Sequence, residues 1–207
     1  MTTAKNVLEQ SKGLPTLPVS AARIVSLLSD PEVDIRSIEA AIRPDPALTA
    51  NILRLANSPF FGLRRNVESV RQAVTMIGLS RVMELAGSAM FCRVLERDLP
   101  GYDLPAESFW IHSAAVAVFA ERIGNRLEKG QKNDGAFTAG LLHDIGKLAF
   151  GTLVEEEFSK ISEKMEDGHT TFAEAEESVI GVDHAEVGGA LAEAWGLPPI
   201  FADVAKY

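Results

Sequence analysis

Helix starts and stops punctuate this chain at short intervals, and no alternating run of apolar and polar residues long enough for a strand falls between them. Asp34 opens a stretch with Ile35, Ile38 and Ile42 on one stripe. That stretch must end before Pro44, because the residue preceding a proline is driven out of the helical region. Asp45-Pro46 is an N-cap followed by proline at the first helical position. It leads into Leu48, Ile52 and Leu55, and Asn57-Ser58-Pro59 closes the segment. Ser69 starts another, with Val70, Ala73, Val74 and Ile77, which Gly78 terminates. Ser80 begins the next, carrying Val82, Leu85, Ala86 and Val94. Ahead of these, Ser20 caps a first helix through Ile24, Leu27 and Leu28, and Asp30-Pro31 stops it. The fold class this pattern predicts is all-α.

The second half continues in the same way. Residues 98–105 hold two prolines and a glycine, the best connection between two helical parts. A long helix runs from Glu107 to Leu127, followed by a polar loop over 128–133 and then a helix containing His143. Thr171 and Glu174 form a capping box before Phe172, Ala175 and Val179. Asp183 and Glu186 repeat the device, and that helix ends at Gly196 with Pro198 beyond.

At 207 residues, with 46% hydrophobic and 24% charged residues, the chain can bury a substantial core and belongs to the soluble globular class. A net charge of -9 argues against nucleic acid as a partner, because phosphate neutralisation needs concentrated Lys and Arg. The cluster of Arg64 and Arg65, with Arg54 and Arg71 nearby, reads as a solvated surface. Cys92 is the single cysteine, which excludes an internal disulfide or thiolate-zinc framework and fits a small core residue. Residues 1–13 have no apolar core of the kind a secretory signal requires, and the most apolar run, 114–120, is too short to span a bilayer. A cytoplasmic location, with no membrane association, is expected.

The chemistry concentrates at Leu141-Leu142-His143-Asp144, continuing as Ile145-Gly146-Lys147-Leu148. A carboxylate in an apolar helix needs a cation, a metal or hydrogen-bond donors. Two readings stand. Either the doublet is half of a metal site completed from other helices, or Asp144 only hydrogen-bonds an imidazole or a backbone amide. His112, in the long apolar helix, and His184, in the first turn of a later one, could converge on His143 as ligands; each could equally be a core or capping histidine. His169, in a polar loop, has no assigned role. Lys147 follows His143 by four residues, on the same helical face. It can hold a phosphate oxygen or stabilise the last turn of its helix through the macrodipole. Asp183 can cap its helix or orient an imidazole, and the cap is the better fit. A nitrogen and oxygen ligand set suits manganese, iron or zinc rather than calcium.

The string from Gly140 to Lys147, with His112 upstream and Asp183-His184-Ala185-Glu186-Val187-Gly188 downstream, resembles the HD superfamily of metal-dependent phosphohydrolases. The upstream half narrows the resemblance. Asp45-Pro46-Ala47-Leu48, Ile52-Leu53-Arg54-Leu55-Ala56-Asn57-Ser58, Gln72-Ala73-Val74 and Ile77-Gly78-Leu79 are similar to the HDOD branch, the HD-related output domains. Leu14-Pro15-Thr16-Leu17-Pro18 opens this pattern and Trp195-Gly196-Leu197-Pro198 lies near its end, so it covers residues 14–207.

The resemblance implies one all-α domain over 14–207, made of a helical part at 14–98 and an HD-like part at 105–207, from bacterial signalling proteins. It implies a regulatory or scaffolding module without hydrolase activity, whose partners are other signalling proteins, with a nucleotide as a further candidate ligand. His112, His143, Asp144 and His184 fall on positions that bind metal in active relatives such as the HD-GYP phosphodiesterases. Those enzymes carry a further His-His pair and a later carboxylate, and the Gly-Tyr-Pro signature; the present sequence carries none of these. The expectation is therefore a retained pocket for one transition ion, or for none, with no catalytic residue assigned. The alternative is a metal-dependent phosphohydrolase acting on a nucleotide or cyclic dinucleotide, with Lys147 on phosphate. No glycine-rich phosphate loop or nucleophile elbow competes with this site.

Overall fold

The computed structural model describes residues 3–10, 23, 24, 27, 32–59, 61–95, 98–127, 135–166 and 168–207. The 14–18 motif, the Ser20 cap and the Asp30-Pro31 stop of the first expected helix lie outside the described residues. So do the 128–133 loop and the side chain of Cys92. Among the described residues every regular element is helical, apart from one isolated bridge between Leu99 and Leu104. No helix among them is long and apolar enough to cross a membrane. The chain divides into two compact units, one of residues 17–93 and the other of residues 1–16 with 94–207. Helix α1 (Ala4–Gln10) belongs to the latter.

In the 17–93 unit, α2 (Ile35–Ile42), α3 (Pro46–Ala56) and α4 (Val70–Ile77) pack on one another, and α5 (Leu79–Leu95) follows. The expected caps form. Asp34 accepts a hydrogen bond from the Ser37 amide at 2.8 Å, Asp45 from Leu48 at 3.0 Å and Ser69 from Gln72 at 3.2 Å. Ile38, Ile42, Leu48 and Ile52 are buried, each contributing roughly 2 kcal/mol. Gly78 turns the chain at φ +91°, so α5 starts at Leu79, one residue earlier than expected. Asn57 does more than end α3. Its Oδ1 accepts from the Val67 amide at 2.7 Å and its Nδ2 donates to the Val67 carbonyl at 3.0 Å, closing the loop between them.

In the other unit a 3-10 turn (Pro100–Tyr102) precedes the long α6 (Ala106–Leu127). Then come α7 (Ala136–Leu142), α8 (Gly146–Met165), α9 (Phe172–Ile180), α10 (His184–Ala194) and α11 (Pro199–Ala205). Helix α6 packs on α7; α8 packs on α9, α10 and the 3-10 turn; and α11 packs on α7 and α10. The capping box at Thr171 and Glu174 forms, and Asp183 caps α10 by accepting from the Glu186 amide at 2.8 Å.

One expectation fails in an instructive place. His143 and Asp144 do not sit inside a helix but in the turn between α7 and α8. Three tight i→i−3 bonds, from Ile145, Lys147 and Leu148 to Leu142, Asp144 and Ile145, carry the chain through that turn. The cause is a close approach to α10. A Cβ on Gly146 would lie 1.8 Å from the His184 carbonyl oxygen and 2.5 Å from the Gly188 nitrogen.

Candidate metal centre

Three elements bring the polar side chains together. Helix α6 supplies His112, the α7–α8 turn supplies His143 and Asp144, and the first residue of α10 is His184. Two glycines set the spacing. Gly140 seats α7 against α6, since a Cβ there would stand 2.8 Å from the Ala117 Cα, and Gly146 brings the turn onto α10. Asp144 is 8% exposed, which makes its charge expensive unless it is compensated.

The two oxygens of Asp144 face different partners. Oδ2 lies 3.4 Å from His143 Nε2, 3.6 Å from His112 Nε2 and 2.5 Å from the Lys147 ammonium. Oδ1 faces His184 Nε2 at 3.6 Å. The Nε2 atoms of His112 and His143 are 3.2 Å apart. Burial by itself would raise the Asp144 pKa, but the hydrogen bond from His143 and the charge of Lys147 outweigh it. They hold the carboxyl well below the usual carboxylate range. Burial likewise opposes the charged form of His143, and the Asp144 carboxylate overcomes it and raises that pKa. At His112, burial and the neighbouring His143 together lower the pKa.

The second nitrogen of each inner imidazole is also occupied. His143 Nδ1 contacts the Gly140 carbonyl at 2.8 Å, and His184 Nδ1 contacts Glu176 Oε2 at 2.6 Å. Both rings thereby turn Nε2 toward Asp144, the orientation that outer-shell oxygens impose on metal-ligating histidines. At an ordinary ligand distance of about 2.1 Å, two donors on one ion stand roughly 3 to 3.5 Å apart, and the separations here fall in or next to that range. His112, His143 and Asp144 lie close enough together to hold a metal ion. The donor set fits such an ion.

The structure thus brings His112, His143, Asp144 and His184 together and leaves His169 exposed and apart. Lys147 stands in the first turn of α8, so its expected role at a helix C-terminus is overturned. With the helix broken after Leu142, its partner is Asp144, three residues earlier. Asp183 acts as the cap, and the imidazole beside it is held by another residue. That residue, Glu176, is fully buried, and sequence reasoning missed it. A signal was present: Glu176 follows Phe172 by four and Ala175 by one, so an acid sits on the stripe that faces the core. Tyr102, whose hydroxyl donates to Glu176 Oε1 at 2.6 Å, was missed as well. Nothing local in Pro100-Gly101-Tyr102 announces it.

The HDOD domain model matches residues 14–207. A solved HDOD domain protein of unknown function from Geobacter sulfurreducens is 32% identical, with a TM-score of 0.81 over 99% of this chain and 67% of that one. The solved structure of a proposed phosphohydrolase from Shewanella amazonensis SB2B is 27% identical, with a TM-score of 0.79 over 97% and 70%. An uncharacterized protein of Treponema pallidum (strain Nichols) is 27% identical over 195 residues. These make up 94% of this chain, which spans 37% of that relative's length. With the helical order, the His-Asp turn and the match over nearly the whole sequence in agreement, the chain belongs to the HDOD domain family.

Proposed function

We propose that this domain is a non-catalytic signal-transduction module that docks other signalling proteins and keeps its HD pocket for one transition-metal ion. The observation that carries the reading is the unequal loading of Asp144. Oδ2 gathers two imidazoles, while Oδ1 meets His184 alone. Hydrolysis by two ions would require a second ion seated on Oδ1 and one imidazole, with room left for activated water. Glu176, the carboxylate beside His184, already takes bonds from His184 and Tyr102. Iron, manganese or zinc suits the nitrogen-rich set, with His112, His143, Asp144 and His184 as ligands. Such an ion supplies positive charge for an anionic ligand, and Lys147 contacts a phosphate of a bound nucleotide.

The 17–93 unit supports the docking half of the reading. It holds nine arginines, no lysine and seven acidic residues, within a chain of net charge -9. A groove of about 880 Å³ runs between α2 and α3. Positions 36, 39, 40 and 43 line one side and positions 46, 49, 50 and 53 the other, each set at helical i, i+3, i+4, i+7 spacing. Arg71 pairs with Glu39, and Arg36 and Arg43 share the lining with Ala50 and Leu53. A partner helix with one apolar and one acidic edge matches those walls.

The test is turnover. Purified protein with manganese, iron or magnesium is expected to leave bis(p-nitrophenyl) phosphate and cyclic dinucleotides intact. Hydrolysis abolished by Asp144→Ala would overturn the reading. A second reading, a metal-dependent phosphohydrolase, is favoured by Lys147 beside the imidazoles and by the likeness to the Shewanella protein. Two equivalents of iron or manganese per chain in protein prepared without added metal would strengthen it.

A further inference from the structure

Among the described residues of this unit, Glu176 is the one charged side chain that no solvent reaches, at 0% exposure. A carboxylate so placed must be fully engaged by donors. Oε1 accepts the Tyr102 hydroxyl at 2.6 Å. Oε2 accepts the backbone amide of His184 at 2.9 Å and contacts His184 Nδ1 at 2.6 Å. The backbone bond matters because His184 is the first residue of α10, whose amide has no acceptor within its own helix. One carboxylate therefore fixes both the main chain and the ring of the same residue.

We propose that Glu176, itself held by Tyr102, is a positioning residue: it keeps the His184 proton on Nδ1 so that Nε2 is offered to the one ion held by Asp144. With Nδ1–H donated to Glu176, Nε2 carries the lone pair, and it faces an acceptor oxygen at 3.6 Å. Two lone pairs directed at each other call for a proton or a metal ion between them, and zinc titration tells the two apart. Tyr102 restrains the arrangement from behind. Its ring meets the His184 ring edge-on, with centroids 6.1 Å apart, and packs on Phe172 at 5.1 Å. The turn that carries it is pressed onto α8, where a Cβ on Gly101 would meet the Gly151 oxygen at 2.3 Å.

The inference rests on the pocket being a metal site, so the experiment separates the two. Nitrogen-15 ring spectra of the metal-free protein report the His184 tautomer, and zinc titration by calorimetry reports affinity. The expected wild-type spectrum has a single Nδ1–H form with a slowly exchanging proton. Glu176→Ala is expected to mix the tautomers and weaken zinc binding 10- to 100-fold. Glu176→Gln keeps one acceptor oxygen and serves if the alanine variant fails to fold; it is expected to fall between the two. Tyr102→Phe should speed proton exchange and weaken zinc less than tenfold. A His184 ring spectrum and zinc affinity unchanged in a folded Glu176→Ala or Glu176→Gln protein would overturn the proposal. A locked ring in a wild-type protein that takes no zinc would instead sink the metal reading and leave the tautomer lock standing. Phosphodiester turnover with the lock intact would sink only the non-catalytic reading.

Discussion

In the 17–93 unit, polar side chains satisfy backbone groups close at hand: Asp34, Asp45 and Ser69 cap helices, and Asn57 closes a loop on Val67. In the unit containing 94–207, Asp144, His143, His184 and Glu176 face one another. The first use of polarity ends helices and closes a loop. The second draws charge to a partly desolvated point, where compensation must come from Lys147, from donors or from an ion. Convergence of side chains on each other, rather than burial alone, marks the region where chemistry can occur. The two tryptophans, Trp110 and Trp195, both belong to the converging unit. Their fluorescence follows that unit alone, whereas circular dichroism follows both.

The largest effect is expected where the converging unit is tightest. Gly146→Ala places a methyl against the backbone of His184 and Gly188, atoms that cannot step aside without moving α10. A loss on the order of 4 kcal/mol is expected, seen as an early tryptophan transition during urea unfolding. If the fluorescence midpoint matched that of wild type, the close approach that builds the site would be wrong.

Next comes the dependence on pH without metal. Asp144 is held below its ordinary pKa of 3.8, so its contribution is complete above that value and lost as pH falls through the lowered one. His143 is raised above 6.5, so its contribution is complete below that value and lost as pH rises through the raised one. Stability of this unit should therefore peak between the two. Asp144→Asn should flatten both limbs, because one shift is that carboxylate's own and the other is caused by it. Tryptophan-detected urea midpoints from pH 3 to 9, in EDTA, check this; an acid limb that survives the substitution would mean another carboxylate governs it.

The contrasting unit offers a cleaner deletion. Asn57→Ala leaves the half-buried amide and carbonyl of Val67 without partners, at a cost of about 2 kcal/mol. The loss should appear in circular dichroism, with tryptophan fluorescence and zinc affinity unmoved. A parallel loss of zinc binding would dissolve the division of labour between the units.

Which parts of this were legible in the sequence follows the same division. Caps and stops act over three or four residues, so Asp34, Asp45, Ser69, Thr171 and Asp183 could be read directly, and the helices they open came out nearly to the residue. The break at His143 could not be read, because its cause is Gly146 meeting α10 some forty residues later. Glu176 was half legible, as an acid on an apolar stripe. Tyr102 reaches it across 74 residues, and Asn57 finds Val67 across ten, with no local pattern to give either away.

Asp183 provides the smallest and most discriminating test, because it stands next to His184 and could be mistaken for the group that orients it. Its Oδ1 accepts from the Glu186 amide, and the ring of His184 is held by Glu176 instead. Asp183→Ala should therefore cost about 1 kcal/mol, the usual loss for a helix N-cap, while zinc affinity stays within about threefold of wild type. The amide of His184 remains tied to Glu176, so the first turn of α10 has a second anchor and should not fray enough to release the imidazole. Calorimetry on this variant beside Glu176→Ala separates local capping from positioning at adjacent points of one helix end. A tenfold or larger loss of zinc affinity in Asp183→Ala would transfer the positioning role to the cap and erase the distinction between neighbour-satisfying and converging polar groups where the two lie closest.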